Sequence, residues 1–123
     1  MAHKILIVDD DLYIRELYEE VLKDAGYEVS TAVDGEDGLS KVKVGGFDLI
    51  LLDVMMPKLD GLGVLQKLSE LSPKPTNGPI ILLTNLSHDP IINEAMQHGA
   101  STYMIKADVT PDQLLAKVKE VVR

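Results

Sequence analysis

Three short stretches of this chain are apolar without interruption: Ile5-Leu6-Ile7-Val8, Leu49-Ile50-Leu51-Leu52 and Ile80-Ile81-Leu82-Leu83. Runs of that length suit parallel strands covered by helices on both faces. Residues 28–33 and 102–105 carry a weaker strand pattern, of the kind expected nearer the edges of a sheet. Between these runs the period changes. Ile14, Leu17, Tyr18, Val21, Leu22 and Ala25 follow the spacing of an amphipathic helix, which Gly26 stops. Residues 35–44, 62–71, 89–98 and 111–122 predict four more helices. Gly45-Gly46 and Gly99 punctuate two of their ends, and Pro111 sits where a first helical turn tolerates it. The segment from Ser72 to Pro79 reads as a rigid polar loop, too short to link two domains.

Strand and helix thus alternate five times, which predicts an α/β fold with a doubly wound, mostly parallel five-stranded sheet and five helices. Such sheets carry their sites beyond the carboxyl ends of the strands, where strand order reverses. In the flavodoxin-like order 2-1-3-4-5, the first and third strands meet at that point. Asp9 and Asp10 follow the first strand, Asp53 ends the third, Thr84 the fourth and Lys106 the fifth. Five polar side chains from four strand ends therefore converge.

Carboxylates crowded in this way repel, and without a cation at least one pKa should rise. Clustered oxygen ligands suit a hard ion, and magnesium takes one or two carboxylates while keeping several waters. A carboxylate can also act as a nucleophile and form an acyl phosphate. Lys106 would then offset developing charge, and Thr84 would offer a hydroxyl to the same phosphoryl group. Asp11 fits better as a helix N-terminal acid.

Composition narrows the field. The 123 residues suggest one domain spanning 1–123. Twenty acids against twelve bases give a net charge of −8, which argues against direct nucleic-acid binding. No cysteine is present, so thiol chemistry and thiolate metal sites are excluded. Neither a signal peptide nor an apolar run of membrane-spanning length is visible, so a cytoplasmic protein with no membrane partner is expected. Gly61-Leu62-Gly63 resembles the start of a dinucleotide fingerprint, but Gln66 stands where the third glycine belongs. His3, His88 and His98 lack the spacing of a zinc site.

Along its whole length the chain resembles the receiver domain of two-component response regulators, including the chemotaxis receivers. The resemblance rests on Ile5 to Asp11, on Asp48 to Pro57 with Asp60-Gly61, on Ile80 to Thr84, and on Gly99 to Lys106. It implies that Asp53 accepts a phosphoryl group from a sensor histidine kinase or a phosphotransfer protein. Asp10, Asp53 and the backbone carbonyl of Met55 would bind Mg2+ directly, with Asp9 acting mainly through water. Thr84 and Tyr103 would form a switch pair, and Lys106 would pair with the phosphorylated Asp53. The output would be a changed surface on the fourth helix, fifth strand and fifth helix, read by an effector or output domain. Such a protein is no enzyme beyond its own phosphotransfer and slow autodephosphorylation.

Two other functions use the same residues. A magnesium-dependent phosphatase or phosphotransferase with an aspartyl nucleophile would need a substrate-recognising insert, for which the compact alternation leaves no room. A phosphorylation-independent interaction module would not need Asp9, Asp10, Asp53, Thr84 and Lys106 together.

Two positions depart from the family pattern: Asn85 replaces the usual small residue after the threonine, and Ala107 replaces the proline after the lysine. A cis bond before a non-proline residue costs about 2.5–4 kcal/mol, so Lys106-Ala107 is expected to be trans, with the 107–110 loop re-routed. Apolar Leu86 would not hold an attacking water, which together with bulky Asn85 suggests a slowly hydrolysed phosphoaspartate.

Overall fold

The computed structural model describes residues 2–85 and 90–122. Five strands, β1 (Lys4–Val8), β2 (Glu28–Ala32), β3 (Leu49–Asp53), β4 (Ile80–Thr84) and β5 (Thr102–Ile105), alternate with five helices. The helices are α1 (Leu12–Asp24), α2 (Gly35–Val44), α3 (Gly61–Ser69), α4 (Pro90–Gln97) and α5 (Pro111–Val121). All pairings are parallel, in the order β2-β1-β3-β4-β5. The weak strand patterns are indeed the two edges.

Helix starts are set by side chains that accept from otherwise unpaired N–H groups. Asp11, Asp34 and Asp60 cap α1, α2 and α3 through the amides of Ile14, Asp37 and Gly63. Thr110 and Gln113 form a reciprocal capping box ahead of Pro111 on α5. Asp11 therefore has the local role expected of it.

Alternation along each strand divides the core into two layers. Leu6, Val8, Ile50, Leu52 and Leu82 pack with Leu39, Val64, Leu65 and Ala95 of α2, α3 and α4. Ile5, Ile7, Leu49, Leu51, Ile81 and Leu83 face α1 and α5, meeting Tyr18, Leu22, Leu114 and Val118. Burying one such aliphatic side chain contributes about 1.5–3 kcal/mol, and with both faces covered a one-residue slip would exchange the two layers and break the packing of each.

The Ser72–Pro79 loop is fastened to the opposite rim from the strand carboxyl ends. Asn77 accepts from the Phe47 amide at 3.1 Å and donates to the Val42 carbonyl at 3.1 Å. The amides of Gly46 and Gly78 donate to Thr76 and Phe47 carbonyls. Gly78 lies so near Asp48 that a Cβ there would come within 1.9 Å of its carbonyl oxygen.

Candidate functional site at the carboxyl edge of the sheet

Register decides which strand ends meet. Val8 pairs with Leu52 and Asp53 with Leu83, so Asp9 and Asp53 are the next steps along adjacent strands. Parity decides which way they face. Asp9 continues the alternation of Ile5 and Ile7, Asp53 that of Leu49 and Leu51, and Lys106 that of Met104, all on the α1/α5 side. Thr84 continues the other parity, with Leu82.

Lys106 Nζ accordingly lies 2.7 Å from Asp9 Oδ2 and 3.4 Å from Asp53 Oδ2. Asp9 is fully buried and Asp53 is 5% exposed. The Asp9 backbone is held as firmly as its side chain. Its N–H donates to Ala32, its carbonyl accepts from Arg15 Nη1 at 2.8 Å, and Oδ1 accepts from the Asp11 amide at 2.9 Å. Lys106 donates its own amide to the Thr84 carbonyl at 2.7 Å.

Asp10 is exposed, yet Asp9, Asp10 and Asp53 each bring a carboxylate oxygen within 4.8 Å of the others. Asp10, Asp11, Asp53, Met55, Asn85 and Lys106 line a cavity of about 350 Å3. A buried acid pair that one lysine only part-neutralises, opening on a third carboxylate, is a donor set that fits a hard divalent cation.

Burial, and next the charge of Asp9, push the Asp53 carboxyl up to about 6 from 3.8, against the pull of Lys106 and the Met55 amide. Burial opposes charge on Lys106, but its hydrogen bond to Asp9 and the two carboxylate charges raise its pKa overall. Tyr18 is also raised, first by burial. The expected rise in one carboxyl is thus found, on Asp53.

Because the folded Asp53 pKa exceeds its unfolded value, its stabilising contribution is present below about pH 4 and lost as pH climbs through 6. That loss approaches about 3 kcal/mol, because a pKa raised by one corresponds to about 1.36 kcal/mol. Urea unfolding of the metal-free protein between pH 4 and 7 should show it, and Asp53→Asn should flatten that part of the curve. An identical curve for the two proteins would contradict the assignment.

Thr84 is buried, while Tyr103 on the edge strand β5 is 41% exposed. The two belong to neighbouring strands, with Leu82 opposite Tyr103 and Thr84 opposite Ile105. Met55 is exposed at the cavity wall. Ser72-Pro73 carries the one cis peptide among the described residues, so Lys106-Ala107 is trans as expected. The chain turns there through a bond from the Asp108 amide to the Ile105 carbonyl before Thr110 starts α5. Leu86 and His88 lie outside the described residues, as does the first residue of the helix expected over 89–98. Two contacts were not anticipated: the close Lys106–Asp9 pair, and Arg15 on the Asp9 carbonyl. The parity of Ile5, Ile7 and Asp9 against Met104 and Lys106 was the available signal for the first.

Residues 5–119 match the family model of the response regulator receiver domain. The chain belongs to that family, whose members are signalling domains rather than turnover enzymes. It is 42% identical over 120 residues to a "Probable transcriptional regulator ycf27" of Cyanophora paradoxa, covering 98% of this chain and 48% of that protein. It is 35% identical over 107 residues to the "Chemotaxis protein CheY" of Treponema pallidum, covering 85% of this chain and 72% of that one. The CheY-like receiver domain protein of Methanospirillum hungatei superposes with a TM-score of 0.86 at 33% identity, covering 98% and 93% of the two chains. The chain spans about half the length of the ycf27 relatives it matches. No helix among the described residues is long and apolar enough to cross a membrane.

Proposed function

We propose that residues 1–123 act as a single receiver unit, a phosphorylation-controlled switch with Asp53 as phosphoacceptor. One observation carries the reading most: two buried carboxylates share one lysine at adjacent strand ends, beside an open cavity. Asp53 Oδ attacks phosphorus in a phosphohistidine of a sensor kinase or phosphotransfer protein. The phosphorus–nitrogen bond breaks, the imidazole leaves with a proton, and an acyl phosphate forms.

Asp10, Asp53 and the Met55 carbonyl would hold Mg2+, with Asp9 behind them acting chiefly through water. When bound, the ion offsets charge on the phosphoryl oxygens. Lys106 neutralises charge on the phosphorylated Asp53. The buried Thr84 hydroxyl and the half-exposed Tyr103 ring would form the switch pair, changing the α4-β5-α5 surface that an effector or output domain reads. The net charge of −8 supports protein partners and no direct nucleic-acid contact, and a cytoplasmic setting suits a kinase partner. Among the described residues that line the cavity, none favours turnover of small phosphate esters.

Intact mass after incubation with MgCl2 and a small acyl-phosphate donor tests the reading. A gain of one phosphoryl group is expected, and the unmodified mass under all conditions would refute it. Slow autodephosphorylation is part of the proposal, with Asn85 at the cavity wall and apolar Leu86 next in sequence. Leu86→Gln should supply a group that can hold an attacking water, shortening the phosphoaspartate lifetime. An unchanged decay rate would count against that explanation.

A further inference from the structure

Three segments carry the residues assigned to magnesium, and two of them are firmly fixed. Asp9 and its neighbours are tied at backbone and side chain, and Asp53 ends a buried strand. The third segment, residues 54–60 with Met55, belongs to no helix or strand. A carbonyl oxygen makes a useful ligand only where its backbone is held.

The loop is closed at its base. The Gly61 amide donates to the Val54 carbonyl at 2.8 Å, and a Cβ on Gly61 would lie 2.4 Å from the Asp53 carbonyl oxygen. Its far side leans on α2. A Cβ on Gly35, the first residue of that helix, would lie 1.7 Å from the Leu59 carbonyl oxygen and 2.5 Å from its carbon. Gly35 is buried, and its φ is not in the positive range that favours glycine. Its missing side chain therefore serves the contact, not the backbone conformation. Beside it, Lys58 has a left-handed φ of 68° and places Nζ 3.6 Å from Asp34, the residue that caps α2.

We infer that Gly35 is a positioning residue for the metal site: the start of α2 holds the Met55 loop in place through the Gly35–Leu59 contact, with Asp34–Lys58 as a weaker tie. This inference rests on the magnesium reading above and adds a residue that touches neither the ion nor the phosphoryl group.

Calorimetric titration of MgCl2 into the full chain tests it, at a temperature where circular dichroism shows each protein folded. Gly35→Ala should weaken magnesium binding about tenfold, the scale seen when support behind a metal ligand is lost. Gly78→Ala makes the same kind of clash with a carbonyl, at the opposite rim. It should lose stability but bind magnesium as the parent does. Equal affinity in Gly35→Ala and the parent, or an equal loss in Gly78→Ala, overturns the inference. Failure of the parent to bind sinks the magnesium reading itself. If Gly35→Ala does not fold, Lys58→Met decides. Removing a positive charge favours cation binding by charge alone, whereas loss of the tie weakens it. Unchanged or tighter binding by Lys58→Met then overturns the inference.

Discussion

Asp53→Asn will not gain the mass of a phosphoryl group under conditions that label the parent fully, and without metal it will be the more stable of the two. Asparagine keeps the shape of the side chain but is not a carboxylate nucleophile. Among the described residues Asp53 is the one buried acid lining the cavity, since Asp9 is buried without lining it and Asp10 is exposed. The burial of Asp53 makes its charge costly, as the rise of its pKa to about 6 records. Removing that charge at pH 7 leaves Lys106 paired with Asp9 at 2.7 Å, so the buried lysine keeps a partner. Intact mass and urea unfolding check the two halves separately. Full labelling of the variant on another residue would sink the phosphoacceptor assignment, and a less stable metal-free variant would sink the electrostatic argument.

Lys106→Met will cost the metal-free protein about 3–5 kcal/mol, the usual penalty for removing one partner of a buried ion pair. That is a large part of the ~5–15 kcal/mol that holds a domain together. Methionine matches the stem of the lysine, whose side chain is only 11% exposed, so packing changes little. What changes is Asp9, whose Oδ2 has its ion pair with Lys106 alone among the described residues. Magnesium should restore the variant more than it stabilises the parent, because it supplies the missing cation. Binding to the native state alone gives about 2.7 kcal/mol at a hundredfold excess over the dissociation constant. Unfolding at pH 7 with and without MgCl2 measures both effects. A loss below about 1 kcal/mol would mean that solvent already compensates Asp9.

The fold was legible because each of its constraints is local. Uninterrupted Ile5 to Val8 and Leu49 to Leu52 can only be buried on both faces, and Gly26, Gly99 and Pro111 mark helix ends by backbone geometry alone. Boundaries moved by a residue or two where a cap outside the apolar pattern sets the start. Asp60 begins α3 at Gly61 rather than at the first apolar residue, Leu62. At the site, position along the strand was legible and depth was not. Asp9 and Asp10 are equivalent as letters, yet one is sealed under Lys106 and the other stands in solvent. Only the parity of the strand, followed one residue past its end, separates them. The close approach of Gly35 to Leu59 was not legible at all, because a contact between the first residue of a helix and a distant loop leaves no period in the sequence.

The fastening of the Ser72–Pro79 loop bears on how this molecule could be handled. Asn77 bridges the end of α2 and the approach to β3 with both ends of one amide, so a single side chain staples the loop to two segments. A reporter dye or an affinity handle inserted between Ser72 and Lys74 would sit on the rim away from the acid cluster and leave the staple whole. The same insertion at Asn77 would unfasten two neighbouring segments at once.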